Sequence, residues 1–151
     1  MKIVSGGQTG ADRAGLDVAI ELGMEYGGYI PRGRRTEDGS LPSRYDRIVE
    51  LETPSYPVRT RKNVLESDAT LLFTIGKMSK GTGLTLKIAS KAGKPYLHVN
   101  LKSVSRAKAS GLIKNWLSNT RPGVLNIAGS RESKSPGIYS AVCEVLKNAL
   151  E

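Results

Sequence analysis

Residues 69 to 75, Ala69-Thr70-Leu71-Leu72-Phe73-Thr74-Ile75, are the strongest strand signal in the chain. A strand this apolar on both of its alternating sides has no face to give to water, so it belongs in the middle of a sheet covered by helices above and below. Segments of helical and strand character alternate around it. Lys2 to Ser5 reads as a strand, Ala11 to Leu22 as a helix closed by Gly23, and Tyr26 to Ile30 as a second strand ended by Pro31-Arg32-Gly33-Arg34-Arg35. Thr36 to Pro57 has weak periodicity and reads as a long loop with at most a short helical turn. A helix over Val58 to Ser67 precedes the central strand, and a loop from Gly76 to Gly83 leads into a helix from about Leu84 to Ala92. A strand follows at Tyr96 to Val99, a helix at Ala107 to Ser118, a strand at Val124 to Ile127 and a loop at Ala128 to Arg131. In the last helix Ile138, Ala141, Val142, Val145 and Ala149 form the buried stripe. The alternation predicts one Rossmann-like, three-layer α/β/α domain over residues 1–151, with a mostly parallel sheet of about five strands and right-handed crossovers.

Composition narrows the setting. The 151 residues carry a formal charge of +9, and from Ala69 to Arg131 there are eleven Lys and Arg and no Asp or Glu. A positive field of that kind suits anionic partners, or a solvated face that keeps the protein dispersed. The basic residues are scattered and lack interleaved aromatics, which argues against nucleic acid. No apolar run approaches the roughly 20 residues of a membrane span, and the N-terminus enters a strand directly, so neither a membrane segment nor a signal peptide is expected. Cys143 is the only cysteine, which fits a reducing, cytoplasmic setting. With no second thiol or nearby histidine, neither Cys143 nor His98 is expected to hold a metal.

Chemistry concentrates in the loops that follow strands. Glycine lets a backbone approach a phosphate, and the next helix presents its unpaired N–H groups and positive dipole end. Ser5-Gly6-Gly7-Gln8-Thr9-Gly10 is the first such loop, Gly81-Thr82-Gly83 lies in the second and Gly129-Ser130-Arg131 in the third. The first is not a dinucleotide fingerprint: Ser5 stands where the first glycine belongs, and the second strand ends in Arg32, Arg34 and Arg35 where a ribose-binding acid is needed. NAD is therefore excluded as the expected ligand. No nucleoside-triphosphatase loop occurs either. Guanidinium groups pair with oxyanions, so Arg32 and Arg35 are candidates for a second anionic contact. Asp12, in the first helical turn, either stabilises the helix dipole or accepts hydrogen bonds from a ligand. No catalytic residue is assigned, because no nucleophile with its base can be assembled.

With these blocks located, the chain resembles the molybdenum carrier family, a branch of the group that includes the lonely-guy phosphoribohydrolases. The resemblance is carried by Ser5 to Asp12, Pro31 to Arg35, Glu37-Asp38-Gly39, Arg59-Thr60 with Asn63-Val64, Ser67 to Thr70, Gly81-Thr82 with Leu84-Thr85, and Asn126 to Ser133. It implies a homo-oligomer, dimer or tetramer, and a site for the pterin phosphate of the molybdenum cofactor. On the two readings together, Gly6, Gly7 and Gly10 with Thr9 are assigned the phosphate, and Arg32, Arg35 and Thr82 further oxyanion contacts. Gln8, Gly81, Ser130 and Arg131 complete the expected set, and Asp12 and Asn63 are placed at the edge of a heterocycle. The alternative is a nucleotide phosphoribohydrolase. That group's P-G-G-x-G-T-x-x-E signature survives here as Gly81-Thr82 with Thr85 in place of the glutamate, so a binding protein is favoured over an enzyme.

Overall fold

The computed structural model describes residues 1–151. Along the chain run β1 (Lys2–Val4), α1 (Ala11–Glu21), β2 (Glu25–Gly27), β3 (Tyr29–Ile30), β4 (Arg35–Thr36), β5 (Gly39–Ser40), β6 (Val49–Glu50), α2 (Tyr56–Leu65), β7 (Ala69–Thr74), α3 (Lys80–Lys91), β8 (Tyr96–Asn100), α4 (Arg106–Thr120), β9 (Val124–Gly129) and α5 (Ile138–Leu150). Five strands make one sheet in the order β2-β1-β9-β7-β8, and every pairing in it is parallel. β7 is buried along its whole length, as its composition requires. A Rossmann-like α/β fold follows, with α1, α4 and α5 side by side on one face and α2 against α3 on the other. No helix is long and apolar enough to cross a membrane.

The two faces differ in chemistry. Alternate strand residues Ile3, Leu71, Phe73, Leu125 and Ile127 join Ala14 and Val18 of α1 and Ile138, Val142 and Val145 of α5 in the main core. The intervening positions include Thr70 and Asn126, both buried and joined by a long 3.4 Å hydrogen bond. Because strand side chains alternate, one register delivers a dry core to one side and a polar floor to the other. The chain also reverses its direction of winding here: β1 leads outward to β2, then crosses to β7 and β8, and β9 closes the gap. Ligand crevices of open α/β sheets form at such a reversal, beyond the carboxyl ends of the strands.

Three segments differ from the sequence expectation. The predicted second strand is broken at Gly28, whose φ of 123° turns the chain out of the sheet and whose missing Cβ makes room for the backbone of Ser5. Tyr29–Ile30 pairs instead with β6, and β4 and β5 form a small hairpin, so the long loop is a folded flap rather than an unstructured excursion. It encloses a cluster of Leu16, Ile30, Leu41, Tyr45 and Ile48. Helix α3 starts at Lys80 rather than Leu84, because the Ser79 hydroxyl accepts the Thr82 N–H and caps it there. Ser55 caps α2 one residue before Tyr56 in the same way.

Candidate functional site

A cleft of about 130 Å³, open to solvent, lies beyond the carboxyl ends of β1 and β9, between α2 and the start of α3. Its polar walls come from every loop the reversal brings together: Gly6, Gln8 and Asp12 from the first, Tyr56 and Arg59 from α2, and Arg131 from the last. The first turn of α3 adds Gly81 and Thr82. With the Thr82 N–H capped by Ser79, the amides of Lys80 and Gly81 remain without an intrahelical partner.

Arg59 and Asp12 form the electrostatic centre. Arg59 is 9% exposed; its Nη1 donates to the Gly6 carbonyl at 2.7 Å and lies 4.0 Å from Asp12 Oδ2. Gly6 is a glycine for this reason, since a Cβ there would overlap the guanidinium. Asp12 accepts the Gln8 N–H at 3.3 Å and makes no direct hydrogen bond to the arginine. Burial pushes the Asp12 carboxyl up to about 6, and Arg59, Arg13 and Arg131 only partly oppose it. Burial likewise lowers the Arg59 guanidinium from its ordinary value, against the pull of Asp12. Both partners are driven toward their neutral forms, because attraction at 4 Å does not repay the water each has lost.

Gln8 adds a further uncompensated group. Its side-chain carbonyl accepts two backbone N–H groups, from Thr9 at 3.1 Å and Glu37 at 2.8 Å, so the amide cannot be turned over without losing both. Nε2 is buried and is the one buried side-chain nitrogen or oxygen with no hydrogen-bond partner. At the mouth, the Tyr56 ring has the guanidiniums of Arg35, Arg59 and Arg131 at 5.3, 5.3 and 5.5 Å from its centroid.

The sequence-predicted residues divide sharply. Gly6, Gln8, Asp12, Asn63, Gly81, Thr82 and Arg131 line the cleft. Asn63, however, spends its amide on the backbone of Tyr29, accepting its N–H at 2.8 Å and donating to its carbonyl at 3.1 Å. Gly7 faces Leu41 and Ile30, and Gly10, at φ 81°, sits against the backbone of Ser130 to Glu132. Thr9 bonds Glu37 and the Glu132 N–H, tying the flap to the last loop. Ser130 is buried, donating its N–H to Phe73 and accepting that of Ala11. Arg32 is exposed outside the lining, and Arg35 reaches it only through Tyr56. Thr85 lies in the cleft wall with its hydroxyl bonded to the Gly81 carbonyl. His98 contacts Thr74 at 2.8 Å on the edge strand, and Cys143 is half-buried on α5. Reading by motif missed Tyr56 as a site residue and gave no role to Arg59, although Tyr-Pro-x-Arg on the first turn of a capped helix placed both on one face.

Comparison with known proteins places the chain in a family. The circularly permutated YpsA SLOG family model matches residues 3–150. Among solved structures, the chain is similar to one described as a putative molybdenum carrier protein from Syntrophus aciditrophicus, at 45% identity and a TM-score of 0.96, over 99% of this chain and 94% of that one. No curated protein matches. The resemblance to molybdenum carriers noted in the sequence is thus matched in three dimensions, and the chain belongs to the circularly permutated YpsA branch of the SLOG family.

Proposed function

We propose that this protein is a carrier that binds and releases a phosphate-bearing small molecule in the cleft between α2, α3 and the sheet, with the pterin phosphate of the molybdenum cofactor as its ligand. The observation that carries this reading is the under-compensated floor of the cleft, where Gln8 Nε2 has no partner and Arg59 has a carboxylate too distant to bond. An anionic, acceptor-rich ligand satisfies both groups, and the first-turn amides of α3 with Thr82 offer it further hydrogen-bond donors. Gly6 contributes by leaving space for Arg59, and Gly7, Gly10 and Thr9 by shaping the loop, while Arg35 and Arg131 supply charge at the mouth. Asp12 faces the heterocycle as an acceptor. The metal, as cargo, enters on the ligand.

The carrier reading is preferred to a hydrolase because Thr85 holds a helical carbonyl and offers no carboxylate to a reacting sugar. Mass spectrometry of the small molecule that copurifies after gentle, oxygen-free preparation tests it, together with calorimetric titration of metal-free pterin phosphate and AMP. A bound species bearing both a phosphate and a flat heterocycle is expected, without base release from AMP. A protein that carries nothing and saturates with neither titrant, or that turns AMP over, contradicts the proposal.

A further inference from the structure

We propose that the ring of guanidiniums around Tyr56, together with Gln8 Nε2, is a separate subsite of the cleft for a tetrahedral dianion: the terminal phosphate of a ligand or a free oxyanion. The inference rests on the cleft reading above and assigns one group of atoms within it. Three cations round one aromatic ring attract the ring and repel one another, and a dianion placed among them relieves the repulsion. None of the chain's ion pairs occupies Arg35 or Arg131, so two of the three are free to turn toward an incoming anion. Arg59 is held by Gly6, and Gln8 by Thr9 and Glu37, which makes them the fixed part of the seat. Arg35 rides on the β4–β5 hairpin, the same hairpin whose Glu37 amide locks Gln8. Glu37 itself is fastened to Thr9 and Ser133. The hairpin is therefore a positioning element: its latch sets both the guanidinium above the anion and the amide beside it.

Calorimetric titration of the full chain with hydrogen phosphate and with molybdate, at low ionic strength and pH 7.5, tests the subsite. One saturable site is expected in the wild type. Gln8→Glu keeps the acceptor for the two backbone amides but turns a second oxygen on the anion, so affinity falls by at least roughly thirtyfold. Arg131→Ala, at a partly exposed position outside every ion pair, lowers it at least about tenfold and flattens its salt dependence. Lys108→Ala, on the far helix, leaves it within about twofold. Competition with molybdate by AMP but not adenosine assigns the seat to a terminal phosphate, and competition by neither assigns it to a free oxyanion. No saturation of the wild type by either ion, or unchanged affinity in folded Gln8→Glu and Arg131→Ala, overturns the subsite. Those results together with a copurified phosphate-bearing heterocycle sink the subsite alone, whereas a protein that carries nothing sinks the cleft reading on which the subsite rests.

Discussion

Asp12→Asn removes the charge that the cleft compensates least. Burial raises the carboxyl from 3.8 to about 6, net of the attraction of Arg59, Arg13 and Arg131. A shift of roughly two units corresponds to about 3 kcal/mol of preference for the neutral form in the folded state. The sign follows from proton counts. Between pH 4 and 6 the folded protein holds a proton on Asp12 that the unfolded chain has released, so stability falls as pH rises through this window and stays lower above it. Asn copies the protonated form, keeps an acceptor for the Gln8 N–H, and introduces one amide that needs its own acceptor. Against that offset, a gain of about 1–2 kcal/mol is expected above pH 7, shrinking to nothing near pH 4. For a chain of this size the gain raises the melting temperature by about 2–8 °C. Urea unfolding of both proteins from pH 4 to 8, followed by circular dichroism, measures it. A wild type that outlasts the variant at pH 7.5, or a difference that does not change with pH, refutes the reasoning.

Two further substitutions separate scaffold from site. Gly10→Ala places a Cβ 2.8 Å from the Glu132 amide nitrogen at a φ of 81°, so a loss of about 2–4 kcal/mol is expected in urea titration, and a folded variant of unchanged stability contradicts the packing role given to this glycine. Asn63→Ala strands the N–H and carbonyl of Tyr29, with an expected cost of about 2–3 kcal/mol in thermal and urea unfolding; weakened ligand binding at full stability instead makes Asn63 a ligand contact.

What could be read from the residues followed the range over which their causes act. The central strand was legible because Ala69 to Thr74 is apolar on both sides, and the last helix because its stripe repeats at helical spacing. The loop from Ser5 to Asp12 supplies Gly6, Gln8 and Asp12 to the cleft wall, but the work of its other glycines was not legible. Gly7 and Gly10 read as phosphate-facing, whereas their free space is filled by Leu41, Ile30 and the backbone after Ser130, residues far away in sequence. Asn63 read as ligand-facing for the same reason, its partner Tyr29 being thirty-four positions distant. The flap was illegible because two-residue strands such as Arg35–Thr36 and Gly39–Ser40 are too short to carry a period. Gly28 was the local signal that the second strand breaks, and it was available.

A buried ion pair with good geometry is at best weak evidence for stability, and the pair here lacks that geometry. Arg59 gives its short hydrogen bond to Gly6, and Asp12 gives its acceptor to Gln8, so each charge faces the cleft with bonding capacity unspent. Gln8 does the same with a buried amide whose other end is locked. Three such groups from two elements, α1 with its loop and α2, line one cleft, while the opposite face of the sheet packs Ile3, Leu71, Phe73 and Ile127 without any such defect. A fold that tolerates uncompensated polarity in only one place keeps it where another molecule completes it. By that argument ligand binding should raise the stability of this protein by more than buried area alone accounts for, since it removes desolvation penalties already present in the free protein.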